Sequence, residues 1–216
     1  MKIKKEIFSK PEKITEQWPG ELDAFSWQDF VTAIPSTLFV VTGWKSNGKE
    51  NACLQAWSSF VGSSGEFICV ITSVTKSGHM YQSLKETGCC VLNFPSRDIF
   101  DKCSKTIDNN QFETDEITAS GLTAEKAVSV NAPRITECFL NIECEFLWDR
   151  EHFENSPYTV VALKAKHICM DSDKYDENKS GRYGKTGYMY NINSPRNPET
   201  GEEQQKGPFG ALELYE

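Results

Sequence analysis

From residue 38 to residue 71 the chain alternates short β-branched and aromatic runs with clusters of turn-forming residues, a pattern that predicts strands joined by tight connections. LFVVTGW (38–44) reads as a first strand. SNGK (46–49) follows it, and Asn47-Gly48 is a strong short-range hairpin signal. NACLQAWSSF (51–60) is a second, less regular strand, GSSG (62–65) a turn, and EFICVI (66–71) a third strand. The polar stretch TSVTKSG (72–78) leads into a helix predicted over 79–86, which stops at Gly88. CCVLNF (89–94) is a fourth strand ended by Pro95. Residues 96–137 are mixed, with a helix expected near 98–105 and a polar excursion over 108–118. LNIECEFL (140–147), which alternates apolar and polar positions, and residues 158–170 supply two more strands.

Six strands with tight turns and few long helices predict a mainly β fold, a six-stranded antiparallel barrel with a few flanking helices. A doubly wound parallel sheet would need intervening helices of about 10–15 residues, and the pattern holds none. Residues 1–34 read as an N-terminal arm broken by Pro11 and Pro19-Gly20, followed by a short helix over 22–34 whose Phe25, Trp27 and Phe30 pack on the body. Residues 35–171 form the barrel domain. Residues 172–216, rich in Gly, Pro, Asn and Lys, form a tail expected to pack on the barrel or on a dimer partner.

A chain of 216 residues can bury roughly 70% of its unfolded surface, so it needs no disulfide or metal to stay folded. The net charge of −8 and the scattered basic residues argue against a nucleic-acid groove. No run of about 18 apolar residues predicts a membrane span, and the polar start lacks the features of a secretory signal, so a cytoplasmic protein is expected. The eight cysteines include no Cys-x-x-Cys pair. Cys69, Cys89, Cys90, Cys144 and Cys169 lie in apolar runs, where a thiol acts as a small hydrophobe. Cys103, between Lys102 and Ser104, is expected to be exposed. None of the three histidines has zinc-ligand spacing to a cysteine pair.

The nucleophile-elbow, phosphate-loop and dinucleotide fingerprints are all absent, so a nucleotide-like ligand would have to be held by other means. Two consecutive segments offer such means. Ala52, Ala56, Ser58 and Ser59 are small residues where a core strand would carry Val or Ile. They suit a flat ring lying close to the backbone; the same composition also suits a bulge or close strand packing. In TSVTKSGH (72–79), Ser73, Thr75 and Ser77 offer hydroxyls and Lys76 a cation at a helix entrance, which suits a phosphate. The alternative there is a solvated capping loop.

With these pieces in place, the chain resembles the flavin-reductase-like, FMN-binding split-barrel family, and in particular its flavoredoxin-like branch. The likeness rests on residues 51–60 with Ala56-Trp57-Ser58, on Lys76 to Gly88 with the following VLNFP, on GLT (121–123), on APRITEC (132–138) and on LNIEC (140–144). The resemblance implies a split-barrel homodimer that binds FMN and transfers electrons or hydride, with NADH or NADPH or a redox partner protein as donor. It implies that Asn51, Gln55, Ala56, Trp57, Ser58 and Ser59 approach the ring and ribityl chain. Thr75, Lys76, Ser77 and His79 would hold the phosphate, joining the Ser73 hydroxyl named above, and Tyr188 and Tyr190 would cover the site. Many relatives have an Arg-aromatic-Thr where this chain has Lys76-Ser77-Gly78-His79, and a histidine that receives nicotinamide where Tyr158 stands. The alternatives are an FMN carrier that does not oxidise NAD(P)H directly, and a barrel that binds without cofactor.

Overall fold

The computed structural model describes residues 3–179, 187–192, 200, 202 and 209–211, so much of the expected tail at 172–216 lies outside the described residues. Two compact units are present: Met1–Ser36 with Asn191–Gly210, and Thr37–Tyr190 with Ala211–Glu216.

The second unit is built on β1 (Phe39–Trp44), β2 (Glu50–Gln55), β3 (Ser58–Ser63), β4 (Glu66–Thr75), β5 (Cys89–Phe94), β6 (Ala124–Lys126), β7 (Pro133–Ile135), β8 (Leu140–Glu151) and β9 (Tyr158–Met170). Seven of them form one antiparallel sheet in the order β2-β1-β5-β8-β9-β4-β3, and β6 and β7 form a separate ribbon. The expected six strands become seven because residues 51–60 are two strands, interrupted at Ala56 and Trp57. Trp57 has φ 45°, a left-handed conformation that ends the pleat and is rare for a bulky side chain.

This break decides the shape of the sheet. β2 and β3 are its two edge strands, yet only two residues connect them, so the sheet curls until its edges approach at that junction. The aromatic core follows the curl: the Phe60 ring of β3 lies 5.8 Å from Phe39 of β1 and 5.6 Å from Phe94 of β5. Val41, Ile71, Leu92 and Leu163 complete this interior, and α3 (His79–Thr87) adds Met80 and Leu84 from one face. α3 packs closely on β1 at Gly43, where a Cβ would meet the Ser83 Cβ in ordinary contact at 3.4 Å.

On the other face of the sheet, Val40, Ala52, Cys103, Ile117, Leu122, Ile135 and Cys138 form a second cluster. The elements bringing them there include α4 (Phe100–Ser104) and α5 (Glu116–Ala119). Cys103 is therefore fully buried, contrary to expectation. The short helix leaves Asp101 and Lys102 in solvent and turns Cys103 inward, so its polar sequence neighbours say little about its own surroundings. Cys69, Cys89, Cys90 and Cys144 are buried as expected, and Cys169 is half-buried.

In the first unit the expected helix over 22–34 is two short ones, α1 (Glu21–Ala24) and α2 (Trp27–Thr32). Phe25 is extended between them, and Ser26 starts α2 with a capping box to Asp29. The rings of Trp18 and Phe25 are 6.3 Å apart, and those of Phe25 and Phe30 6.4 Å. Among the described residues no helix is long and apolar enough to cross a membrane.

One buried carboxylate makes the fold acid-sensitive. Glu143 on β8 accepts the Val128 N–H at 2.9 Å and both the N–H and the hydroxyl of Ser129 at 2.6 Å. Burial alone would favour its neutral form, but the Ser129 hydroxyl, these backbone donors and nearby His167 outweigh it and hold its pKa below the usual value. A carboxylate with a lowered folded-state pKa contributes stability that is present above its unfolded pKa, about 4.3, and is lost as pH falls through the folded value. The unfolding midpoint is therefore expected to drop as pH is lowered through about 4. Glu143→Gln should be less stable at neutral pH and show a shallower acid decline in the same thermal scans.

Candidate functional site

The two-residue link between the edge strands meets a second irregularity. On β9, Val161 pairs with Ile71 and Thr159 with Val74, so Thr72 and Ser73 together face Val160 alone. This is a β-bulge near the end of β4, a strand that runs on to Thr75 where the sequence suggested a loop from residue 72. The bulge and the left-handed residue are tied together. The Trp57 carbonyl accepts the Thr72 N–H at 2.9 Å and the Thr72 hydroxyl at 2.7 Å. The Thr72 carbonyl in turn contacts the His152 ring Nε2. Irregular backbone of this kind costs free energy and concentrates at functional sites.

Side chains at the junction divide by face. Ala56 is 2% exposed and packs with Leu38, Phe100, Met189 and Trp57, so its small size serves packing on one side of the link. Ser58 pairs with Ile71, and its hydroxyl is buried without a hydrogen-bond partner. Ser59 is exposed, Ser73 half-buried, and Thr75 and Ser77 exposed. The Gln55 amide donates to the Cys53 Sγ at 3.1 Å. The Tyr188 ring rests on Phe94 and Phe139 at 5.6 and 5.2 Å. That places Tyr188 at the same end of the sheet as the link, because Phe94 also touches Phe39, the partner of Gln55. Tyr190 is half-buried.

Lys76 is already engaged. Its Nζ lies 2.5 Å from Glu151 Oε1, and its N–H donates to the Pro157 carbonyl at 3.0 Å. The Lys76 ammonium holds the Glu151 carboxyl below the usual carboxylate range.

Asn51 and His79 lie toward the other end of β2, beside α3. Asn51 is 2% exposed and pairs with Gly43, so its side chain shares the face over which Ser83 passes. Asn51 Nδ2, Ser83 Oγ and His79 Nδ1 are all buried without a hydrogen-bond partner. Glu116 Oε1 lies 3.5 Å from His79 Nδ1 without hydrogen-bond alignment, and the Phe112 ring is 5.7 Å away. Lys45, His79, Gln82, Ser83 and Phe112 line a small recess here. Among the described residues, five buried side-chain polar atoms lack a partner, and three of them belong to Asn51, Ser58 and His79. The sequence singled out all three on other grounds. The structure thus gathers Trp57, Ser58, Ser73, Thr75 and Lys76 around the bulge, while Asn51 and His79 form a second polar group with Ser83.

Glu116 gave no signal in the sequence beyond lying in a polar excursion. Its carboxylate is fully buried, bound to Lys45 Nζ at 2.9 Å and to the Ala52 N–H at 2.7 Å. The Lys45 ammonium also donates to the carbonyls of Gln111 and Thr114, at 2.9 and 2.6 Å. Beside it Asp115 accepts the Glu50 N–H at 3.1 Å, and Lys49, hydrogen-bonded to it, holds its pKa down. These two carboxylates occupy N–H groups on the outer edge of β2, which fixes the strand entering the link.

A family model for the flavin reductase like domain matches residues 31–189. Nitrilotriacetate monooxygenase component B from Bacillus cereus is similar in structure, with a TM-score of 0.72 at 16% identity, covering 94% of this chain and 98% of that one. Flavoredoxin of Desulfovibrio vulgaris (Miyazaki F) is similar with a TM-score of 0.67 at 18% identity, covering 84% of this chain and 88% of that one. At these identities the likeness is one of fold. An uncharacterized protein of Methanothermobacter thermautotrophicus is 27% identical over 113 residues, 51% of this chain, and the match spans about half of that relative, 52% of its length.

Proposed function

Because the chain belongs to the flavin reductase-like family, we propose that it is an FMN-dependent oxidoreductase whose flavin ring lies against the backbone of residues 55–59 and whose phosphate reaches residues 73–77. The observation that carries this reading is the joined pair of backbone irregularities, left-handed Trp57 bonded to the Thr72 bulge, with the orphaned Ser58 hydroxyl beside them. A buried hydroxyl without a partner is costly, and a ring edge bearing donors and acceptors would satisfy it. The residues present fit the group: Ser58 and the backbone of the link for the ring, Gln55 for its polar edge, and Ser73, Thr75, Ser77 and Lys76 for the phosphate. Asn51 and His79 would act through the α3 end of β2, and Tyr188 would close the aromatic side.

Bound FMN would supply the redox chemistry. The protein would bind it, orient it at the Trp57–Thr72 junction and close one side with Tyr188, which is seated on the buried rings of Phe94 and Phe139. No protein acid or base is required for hydride uptake by a flavin, which is consistent with the lack of a catalytic constellation in the sequence. We further propose a homodimer, with NADH or NADPH as donor.

A second reading, a flavin carrier reduced by a protein partner, is favoured by one position. Tyr158 is half-buried at the start of β9 and paired with Thr75; the family resemblance implies that many relatives have a histidine there, which helps receive nicotinamide in some reductases. Anaerobic mixing of the flavin-loaded protein with NADH or NADPH separates the two. The reductase reading expects loss of the oxidised flavin's visible absorbance with one of them. Bleaching by dithionite alone would establish the carrier, and failure to load any flavin would refute both.

A further inference from the structure

We propose that Glu151 is a resident competitor for the flavin phosphate, occupying the ammonium of Lys76 until a phosphorylated flavin displaces it. The inference rests on the phosphate reading given above. Lys76 Nζ and Glu151 Oε1 are 2.5 Å apart. Glu151 does not reach Lys76 as a loose chain. Its second oxygen accepts the Asn155 N–H at 3.0 Å, which anchors the carboxylate inside the turn between β8 and β9. That turn is itself held against β4 by the Lys76 N–H bond to Pro157 and the contact of His152 with the Thr72 carbonyl. The neighbouring carboxylate on the same strand, Asp149, is committed elsewhere: it takes Lys85 Nζ and the Tyr81 hydroxyl, each at 2.8 Å. Glu151 is thus the anion built to face Lys76.

An ammonium is a compact point charge, and one positive charge cannot neutralise a carboxylate and a phosphate together. A phosphate arriving at Lys76 must push Glu151 aside or suffer like-charge repulsion. The Lys76 and Glu151 side chains are 30% and 42% exposed, so water can take over the released carboxylate and the exchange is inexpensive. The consequence is a site whose preference for phosphorylated over unphosphorylated flavin is deliberately weak, leaving the flavin exchangeable.

The test is Glu151→Gln, which keeps the size and the acceptor for Asn155 while removing the charge. FMN and riboflavin would be titrated into the full-length native protein, Glu151→Gln, Lys76→Met and the double variant, following flavin fluorescence. The expected result is FMN binding tightened roughly three- to fivefold in Glu151→Gln, the scale of an exposed ion pair. Riboflavin affinity should stay unchanged, and the gain should vanish in the Lys76→Met background. Equal shifts for both flavins, or unchanged FMN affinity in Glu151→Gln while Lys76→Met alone weakens FMN, would overturn the competitor and leave the phosphate reading standing. If Lys76→Met alone leaves FMN affinity unchanged, the phosphate lies elsewhere and both readings fall.

Discussion

Replacing Glu116 with alanine is expected to destabilise the protein by about 3–5 kcal/mol, the cost of stranding a buried partner charge. Lys45 and Glu116 have side chains only 1% exposed each. Once the carboxylate is gone, the ammonium keeps two carbonyl acceptors but no counter-charge, and the Ala52 N–H loses its acceptor. The loss reaches beyond the ion pair, because Glu116 also holds the outer edge of β2 at Ala52. Urea unfolding of the two forms measures it. The companion variant Lys45→Met with Glu116→Leu removes both charges and should recover a large part of the stability. A loss below about 1 kcal/mol in Glu116→Ala would show that this pair contributes no more than a surface one.

Lys76→Ala carries the largest expected effect on ligand binding. A hydrogen bond to a charged group is worth about 1.5–3 kcal/mol. The free protein, however, already spends part of that interaction on Glu151, and an exposed pair is worth up to about 1 kcal/mol. The net loss in FMN affinity should therefore be about 1–2 kcal/mol, roughly five- to thirtyfold. Riboflavin, which lacks the phosphate, should bind the variant and the native protein alike. Parallel fluorescence titrations with the two flavins make the comparison, and an equal loss for both would move the lysine from the phosphate to the ring.

Much of the fold was legible because local signals and tertiary demands agree. The Asn47-Gly48 turn and the helix that starts at His79 and stops at Gly88 reappear where the pattern put them. The strand expected over 140–147 is also present, but its polar Asn141 and Glu143 are buried along with Leu140, Ile142 and Cys144, so the alternation does not mark a solvent face there. The cysteines of apolar runs behaved as hydrophobes for the same reason.

The misses share a physical cause, since each depends on a partner remote in sequence. Trp is a good strand former, so nothing local marks Trp57 as the break; its left-handed turn is imposed by the need to join two opposite edges of one sheet. Thr72 and Ser73 read as loop because their polarity is local, whereas their place in β4 is set by pairing with β9. Cys103 looked exposed from its neighbours, although one helical turn decides which residue faces the sheet. Glu116 reads as a solvated carboxylate, and its partner Lys45 is 71 residues away. Lys76 was legible as a cation at a helix entrance, but Glu151, 75 residues on, was not legible as its counter-ion.

Asn51, Ser58 and His79 were chosen for residue type and position, and they hold three of the buried polar atoms left without a partner among the described residues. Burial of an unsatisfied polar atom is tolerated where a ligand completes it, which gives these three side chains an independent physical reason to face a ligand.

The most direct test is a spectroscopic titration of the purified protein with FMN, recording flavin absorbance and fluorescence. A saturable change that levels off near one flavin per chain, and is weaker for Lys76→Ala, is the expected outcome. A spectrum that stays the sum of free FMN and protein at every ratio would contradict a flavin pocket at the Trp57–Thr72 junction.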